Sequence, residues 1–367
     1  MPFRNLYVHV PFCSVKCDYC AFFSVEHSGP DLHRKWLECV LRGLDRHADE
    51  LETVETVYFG GGTPTLPDAD FLDGVFRAVF ERIRMVPGAE VTSEANPETI
   101  TPEKAAVLAS HVNRVSMGVQ SFDPVKRAVL GRHPASADSV PRAAELLREA
   151  GIRNLGFDLM YAVPGETPAG WRRDLELALE LKPDHLSAYA LTPEEHTPYA
   201  RAHGLRAADD ALSAAMWETA GEMLAGAGLP RYEISNYAGE AFQARHNCAV
   251  WHGQTYLGLG PSACSFDGTD RFTEPAGMKE WLEGIPPEID RIPRAARRRE
   301  ILMMGLRTVR GWGRDEFASA AGCGWEDALP VLHELEKDRL IELSDAFCRP
   351  TLKGLAFWNE IAERLIL

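Results

Sequence analysis

Three cysteines, Cys13, Cys17 and Cys20, stand in a C-x3-C-x2-C spacing within residues 9–21, HVPFCSVKCDYCA. Thiolates this close in sequence can turn toward one soft metal centre. A structural zinc site asks for four protein ligands, usually two of them from a second Cys/His pair. A [4Fe-4S] cube has four irons, so three cysteines hold three of them and leave one open. No fourth ligand lies close by, because the residue two beyond Cys20 is Phe22, which has no donor atom. An open iron can chelate the amino and carboxylate groups of S-adenosylmethionine, whose radical chemistry belongs to the cofactor. Three cysteines packed as small apolar residues would be the plain alternative. That alternative does not account for the spacing, nor for its place directly behind an apolar stretch at 6–10.

Other chemistry-bearing residues fall where predicted strands end. Gly60-Gly61-Gly62-Thr63-Pro64 follows the strand predicted at 55–59. Glycines let the backbone approach a ligand closely, and backbone groups there could hold the amino end of the bound methionine moiety. Glu94, Gln120, Asp158 and the more distant Arg132 follow the next strand ends. Acidic residues in such positions can bind ribose hydroxyls, and Arg132 can pair with the methionine carboxylate in fork geometry. A second cluster is His246-Asn247-Cys248-Ala249-Val250-Trp251. His and Cys are both axial ligands of haem iron, and His246 is the candidate. Cys39, Cys264, Cys323 and Cys348 have no paired spacing and read as buried apolar residues.

The elements that must position these residues follow from periodicity. Leu32, Trp36, Leu37, Val40, Leu41 and Leu44 mark an amphipathic helix behind the cysteine loop. Strands are then expected at 55–59, 89–94, 113–120, 153–160 and 185–191. Between them lie helices after Asp68, which can cap one, at 102–110, at 139–150 with Gly151 as its stop, and at 171–181. With the strand at 6–10 this makes six strand-helix units. The alternation implies a parallel α/β sheet with covering helices. Six units fall short of the eight of a closed barrel, so the expected fold is an incomplete (βα)6 TIM-like barrel. Its functional end is the carboxyl end of the strands.

Three regions are expected. Residues 1–191 form the core barrel. Residues 192–290 extend it, with a helix at 207–227, short strands at 232–237 and 256–262, and the HN-x3-W stretch. Residues 291–367 form a small α+β, winged-helix-like domain, with helices at 295–306, 314–320 and 325–337, strands at 340–344 and 348–351, and a last helix at 353–367. The basic run 294–299 invites a DNA reading, but a solvated helix start or a domain contact suits the acidic chain better.

The totals set the class. The 367 residues carry a net charge of −15, with 45% hydrophobic and 25% charged residues. This is the composition of a globular protein and disfavours a nucleic-acid partner. No apolar run reaches the length of a transmembrane segment, which leaves peripheral association as the only expected membrane contact. The chain enters its first strand within a few residues, with no room for a targeting peptide. Eight irregularly spaced cysteines argue against a disulfide framework. The expected setting is cytoplasmic.

HVPFCSVKCDYCAF, YFGGGTPT, EANPE, RVSMGVQSFD, GRHP, GFDLMYAVPGET and YLGLGPSA together resemble the oxygen-independent coproporphyrinogen III oxidase-like radical-SAM proteins. The match runs from Tyr7 to about Phe266, and residues 291–367 are similar to the small helical domain of that family. The resemblance implies that Cys13, Cys17 and Cys20 bind the cluster. It implies that Tyr7, Tyr19, Gly61, Gly62, Thr63, Glu94, Gln120, Arg132, Asp158, Ala190 and Cys264 line an S-adenosylmethionine site. Two branches of the family differ in function. The dehydrogenase branch, which decarboxylates coproporphyrinogen III oxidatively, has a cysteine where this chain has Phe22, and a long N-terminal extension. The haem-chaperone branch carries HNxxYW, which His246, Asn247 and Trp251 match and Val250 departs from at the tyrosine. The expected function is therefore that of a haem chaperone, with His246 as haem contact and an acceptor protein in respiratory or cytochrome assembly as partner.

Overall fold

The computed structural model describes residues 2–132, 138–205 and 208–366. The His133-Pro134 half of the GRHP stretch, the predicted helix start at 207 and the final Leu367 lie outside them. Six strands follow one another in space as in sequence: β1 (Asn5–Val10), β2 (Val54–Gly61), β3 (Met85–Ala95), β4 (Arg114–Gln120), β5 (Asn154–Tyr161) and β6 (His185–Ala190). Every neighbouring pair is parallel. The crossover helices are α1 (Pro30–Arg46), α2 (Ala69–Phe80), α3 (Pro102–His111), α4 (Ser139–Ala150) and α5 (Pro168–Glu180). Local chemistry sets their ends. The Asp68 carboxylate accepts the Phe71 N–H at 2.8 Å, and Gly151 closes α4 in the left-handed conformation at φ 106°.

Side-chain alternation gives this sheet two unlike faces. Leu6, Val8 and Val10, then Val57 and Phe59, Val115, Met117 and Val119, and Leu155, Phe157 and Leu159 are buried on the helix-covered face. There they meet Trp36, Val75, Phe76, Leu108, Leu147 and Trp171. Fully burying such a side chain contributes about 1.5–3 kcal/mol. The residues between them point to the concave side and are mostly polar: Tyr58, Glu94, Arg114, Ser116, Gln120, Asp158, His185 and Ser187. An ordinary eight-stranded barrel fills its interior with branched apolar side chains. Here the interior is kept polar and open, which is what a ligand chamber requires.

The sheet extends further than the strand-helix rhythm indicated. Tyr256–Leu259 joins the other side of β1 in parallel. Cys264–Phe266, Arg271–Thr273 and Glu288–Asp290 continue antiparallel from it. At the opposite edge Asn236–Ala238 pairs antiparallel with β6. The result is an open eleven-stranded sheet. The long helix after β6 runs Asp210–Gly226, and the HN-x3-W stretch forms a short helix, Arg245–Trp251.

The last seventy or so residues carry their own apolar cluster, including Leu302, Leu306, Trp312, Phe317, Leu332, Leu335 and Ile361. Helices Arg294–Gly305, Arg314–Ala321 and Leu329–Lys337 pack with three antiparallel strands, Trp312–Gly313, Phe347–Pro350 and Ile341–Leu343. This is the winged-helix-like arrangement. The helix expected at 353–367 is broken at Phe357 into Leu352–Ala356 and Trp358–Ile366. Among the described residues, no helix is long and apolar enough to cross a membrane.

Candidate functional site

The carboxyl ends of the parallel strands and the cysteine loop enclose a cavity of about 420 Å³, within the usual size of a small-molecule site. Cys13, Cys17 and Cys20 form part of its wall. The loop that presents them is fixed by backbone bonds. Phe12–Cys13 pairs with Val25–Glu26, Asp18 N–H donates to Leu130 O at 3.1 Å, and Tyr199 N–H donates to Asp18 O at 2.9 Å. The Glu26 carboxylate accepts the Lys16 N–H at 2.7 Å. Each thiol is half-buried, and burial raises its pKa, that of Cys17 to about 11. Arg132 nearby works in the opposite sense on Cys17. The Cys13 sulfur lies 3.8 Å from Thr63 Oγ1.

The thiols suit a cube better than a single ion. No group of three His, Cys, Asp or Glu side chains among the described residues is placed to hold one metal ion. The three cysteines instead share one opening, as the corners of a cluster require. With no further Cys or His on the cavity wall among the described residues apart from His185 deep inside, the donor set fits a [4Fe-4S] cluster with an open iron.

The glycine run is shaped by contact. Gly62 N–H donates to Val10 O at 2.8 Å and Thr63 N–H to Phe12 O at 2.7 Å, which ties the β2 end to the root of the cysteine loop. A Cβ on Gly62 would lie 2.8 Å from both of those carbonyl oxygens. Gly62→Ala should therefore push the two segments apart, costing about 1–3 kcal/mol and lowering iron retention. Gly74→Ala is the control: a Cβ there meets nothing within 4 Å, and the helix interior should gain about 0.5–1 kcal/mol. Urea unfolding and iron content read both.

Glu94 closes this wall. Its carboxylate accepts from Tyr58 Oη at 2.9 Å and from Gly61 N–H at 3.0 Å. Burial, with the Asp158 charge nearby, raises its pKa to about 7. Asp158 accepts from Ser116 Oγ at 3.1 Å, and burial raises its pKa too. Gln120 sits at φ 61°, which turns its side chain back to the Arg132 guanidinium; Arg132 also bonds Gly118 O. Among the described residues Arg132 Nε, sealed from water, has no acceptor. A guanidinium, two carboxylates and a close-set glycine backbone around one opening are what an amino-acid and ribose ligand would need.

The residues assigned from the sequence do not all meet. Tyr19, Gly61, Gly62, Thr63, Glu94, Gln120, Arg132 and Asp158 line the cavity with the three cysteines. Tyr7 stands behind this wall, its hydroxyl 3.0 Å from His9 Nδ1. Ala190 ends β6 and is exposed, beside the cavity residue Tyr189. Cys264 lies in the added strand, 3.8 Å from Tyr256 Oη. Of the four cysteines expected to be buried, only Cys348 is; Cys39, Cys264 and Cys323 are partly exposed.

His246 lies beneath the cavity floor, 6% exposed, while its neighbour Asn247 reaches the cavity. The Thr56 hydroxyl donates to Asn5 Oδ1 and lies 2.7 Å from His246 Nδ1. The ring therefore donates from Nδ1 and keeps its Nε2 lone pair. Burial, together with Arg114, lowers its pKa to about 3, so the imidazole is neutral. Both oxygens of Glu90 hold the helix start, accepting the Arg245 and His246 N–H groups at 3.0 Å. Trp251 stacks under the Arg307 guanidinium at 4.6 Å, a packing role.

Sequence reasoning missed Tyr58, Arg114, Ser116, His185, Ser187 and Asn236 on the cavity wall. For all but Asn236 the signal was present: Tyr58, then Arg114 and Ser116, then His185 and Ser187 alternate with apolar residues along β2, β4 and β6.

Residues 7–178 match the model of the radical SAM superfamily and residues 292–357 that of the HemN C-terminal domain. The chain is 31% identical to the protein of Lactococcus lactis named heme chaperone HemW, over 99% of this chain and 97% of that one. It is 31% identical to heme chaperone HemW of Escherichia coli, over 99% and 98%. The zebrafish radical S-adenosyl methionine domain-containing protein 1, mitochondrial, is 29% identical over 99% and 87%. Coproporphyrinogen III oxidase (HemN) of Escherichia coli shares the fold, with a TM-score of 0.83 over 99% of this chain and 90% of that one, at 20% identity.

Proposed function

Since this chain belongs to the HemW family of the radical SAM superfamily, we propose that it is a haem chaperone: it binds haem, holds it and passes it to an acceptor protein. The end-to-end likeness to proteins named heme chaperone HemW is the observation that carries this reading. The same premise implies a [4Fe-4S] cluster on Cys13, Cys17 and Cys20, with S-adenosylmethionine exchangeable at the open iron. When bound, that pair supplies one-electron chemistry.

The chain's own residues have separate tasks. The three thiols hold the cluster at the cavity mouth. Gly61 and Gly62 bring backbone groups close to it. Arg132 offers its guanidinium to a carboxylate, and Glu94 and Asp158 offer acceptors to hydroxyl or ammonium groups. Phe22 is 65% exposed at the mouth and presents an apolar face, where the dehydrogenase pattern would place a further cysteine. His246, neutral and with a free Nε2, has the protonation state of an iron ligand. Haem ligation there requires the floor formed by residues 245–251 to open.

Titration of the anaerobically reconstituted full-length protein with haem tests the proposal. A Soret shift saturating at one haem per chain is expected, with affinity lowered at least about tenfold in His246→Ala. The complex should also yield its haem to an added haem-free acceptor. No stoichiometric shift would overturn the reading. Steady anaerobic conversion of coproporphyrinogen III would replace it with the dehydrogenase reading.

A further inference from the structure

Arg114 opens β4 at the inner end of the chamber, opposite the cysteine loop. It is 2% exposed. Among the described residues its guanidinium has no ion pair or hydrogen-bond partner, and Nε is sealed from water with no acceptor. Against the effect of burial, Glu90 and Asp158 hold its pKa up, but neither carboxylate bonds it: Glu90 accepts the two N–H groups of the 245–251 helix and Asp158 the Ser116 hydroxyl. The charge is thus balanced from a distance while the N–H donors lack acceptors, and a buried donor left unpaired is costly.

A second donor faces the same space. The Tyr232 hydroxyl accepts from Ala244 N–H at 3.1 Å and lies 2.9 Å from His185 Nε2; among the described residues its proton has no other acceptor, so it goes to that nitrogen. The His185 ring then carries its own proton on Nδ1, where it finds no acceptor although the residue is 1% exposed. Room is kept in front of it by Gly156, where a Cβ would stand 3.2 Å from Nδ1. Two sealed donors, one of them charged, thus belong to residues of one cavity lining, and neither has an acceptor among the described residues; Asn236 Oδ1, on the same wall, is unpaired as well.

We propose that Arg114 and His185 form a carboxylate receptor at the inner end of the cavity, taking one carboxylate of the ligand that enters through the mouth. It is not the partner of the methionine carboxylate. Gln120, at the other end of β4, is six residues away, roughly 20 Å along an extended strand, and a methionine moiety on the open iron stays at that outer end. On the haem reading, on which only the choice of occupant rests, the carboxylate is a haem propionate.

The test uses the full-length protein, its Arg114→Met variant and two probes. Acetate, against chloride at equal ionic strength, should raise the melting temperature of the wild type by about 2–4 °C and leave Arg114→Met unmoved. Wild type should bind protohaem at least about tenfold tighter than its dimethyl ester, with the ratio near one in Arg114→Met. Arg114→Lys, which keeps the charge and loses the fork, should retain part of both responses. An Arg114→Met protein that unfolds, or an acetate response absent from the wild type or equal in the two proteins, overturns the receptor. Equal binding of acid and ester with the acetate response intact supports the receptor and overturns haem as its occupant. Failure to bind haem at all overturns the function proposed above, and the acetate response still decides the receptor.

Discussion

Cys17→Ala protein, reconstituted without oxygen, is expected to retain on the order of a tenth or less of the wild-type iron and sulfide. Its melting temperature before reconstitution should move little. Both halves follow from the loop. Its shape rests on backbone bonds from Lys16, Asp18 and Cys20 and on the pairing of Phe12–Cys13 with Val25–Glu26, and among the described residues the Cys17 sulfur accepts no bond that holds it. The donors are a different matter. Removing Cys17 leaves Cys13 and Cys20, and no other thiol lines the cavity. Two thiolates do not hold a four-iron cube against loss. Burial raises the thiol pKa values, so loading favours alkaline conditions, where thiolates form more readily, and weakens as pH falls. Iron and sulfide per chain, with a melting curve, check the prediction; unchanged iron would contradict it.

Lys126→Ala should be the most destabilising single change on the far side of the cavity, at about 3–5 kcal/mol. Lys126 is buried and paired with Glu166 and with Asp174, the latter at 3.0 Å. Removing it leaves two buried carboxylates facing each other. Asp174 also accepts Ser121 Oγ at 2.6 Å and Phe122 N–H at 2.8 Å, and Glu166 accepts Val163 N–H at 3.1 Å. The network thus fixes the segment after β4 to the segment after β5. Gln120 and Arg132 flank the first of these, so the variant should also lose affinity for S-adenosylmethionine. Protonating the carboxylates should partly rescue it, because burial raises the Glu166 pKa. Stability relative to wild type should recover as pH falls toward the ordinary carboxylate range. Urea unfolding between pH 5 and 8 reads this; a pH-independent loss would contradict it.

What could be read from the chain differed by kind of information. The six parallel strands were legible because each alternates apolar residues with polar ones, and caps such as Asp68 and Gly151 mark the helices between them. The cysteine loop was legible from spacing alone. The strand expected at 256–262 was legible, but its pairing with β1 was not, since its partner lies some 250 positions away and local pattern carries no such information. Arg114 and His185 were passed over because a polar residue at the first position of a strand looks like a loop end; only the assembled sheet shows that it points inward. Tyr7, Ala190 and Cys264 came from family likeness rather than from their own chemistry, and they flank the cavity rather than line it. His246 was picked out by its neighbours Asn247 and Trp251. The structure places it under the floor, with Asn247 at the cavity and Trp251 packed on Arg307.

Electron paramagnetic resonance of the anaerobically reconstituted, dithionite-reduced protein, before and after S-adenosylmethionine is added, addresses the central claim most directly. The account predicts about four irons per chain and a reduced four-iron signal that changes when the nucleotide binds, because one iron is left free of protein. Zinc in place of iron, or a four-iron signal indifferent to S-adenosylmethionine, would contradict it.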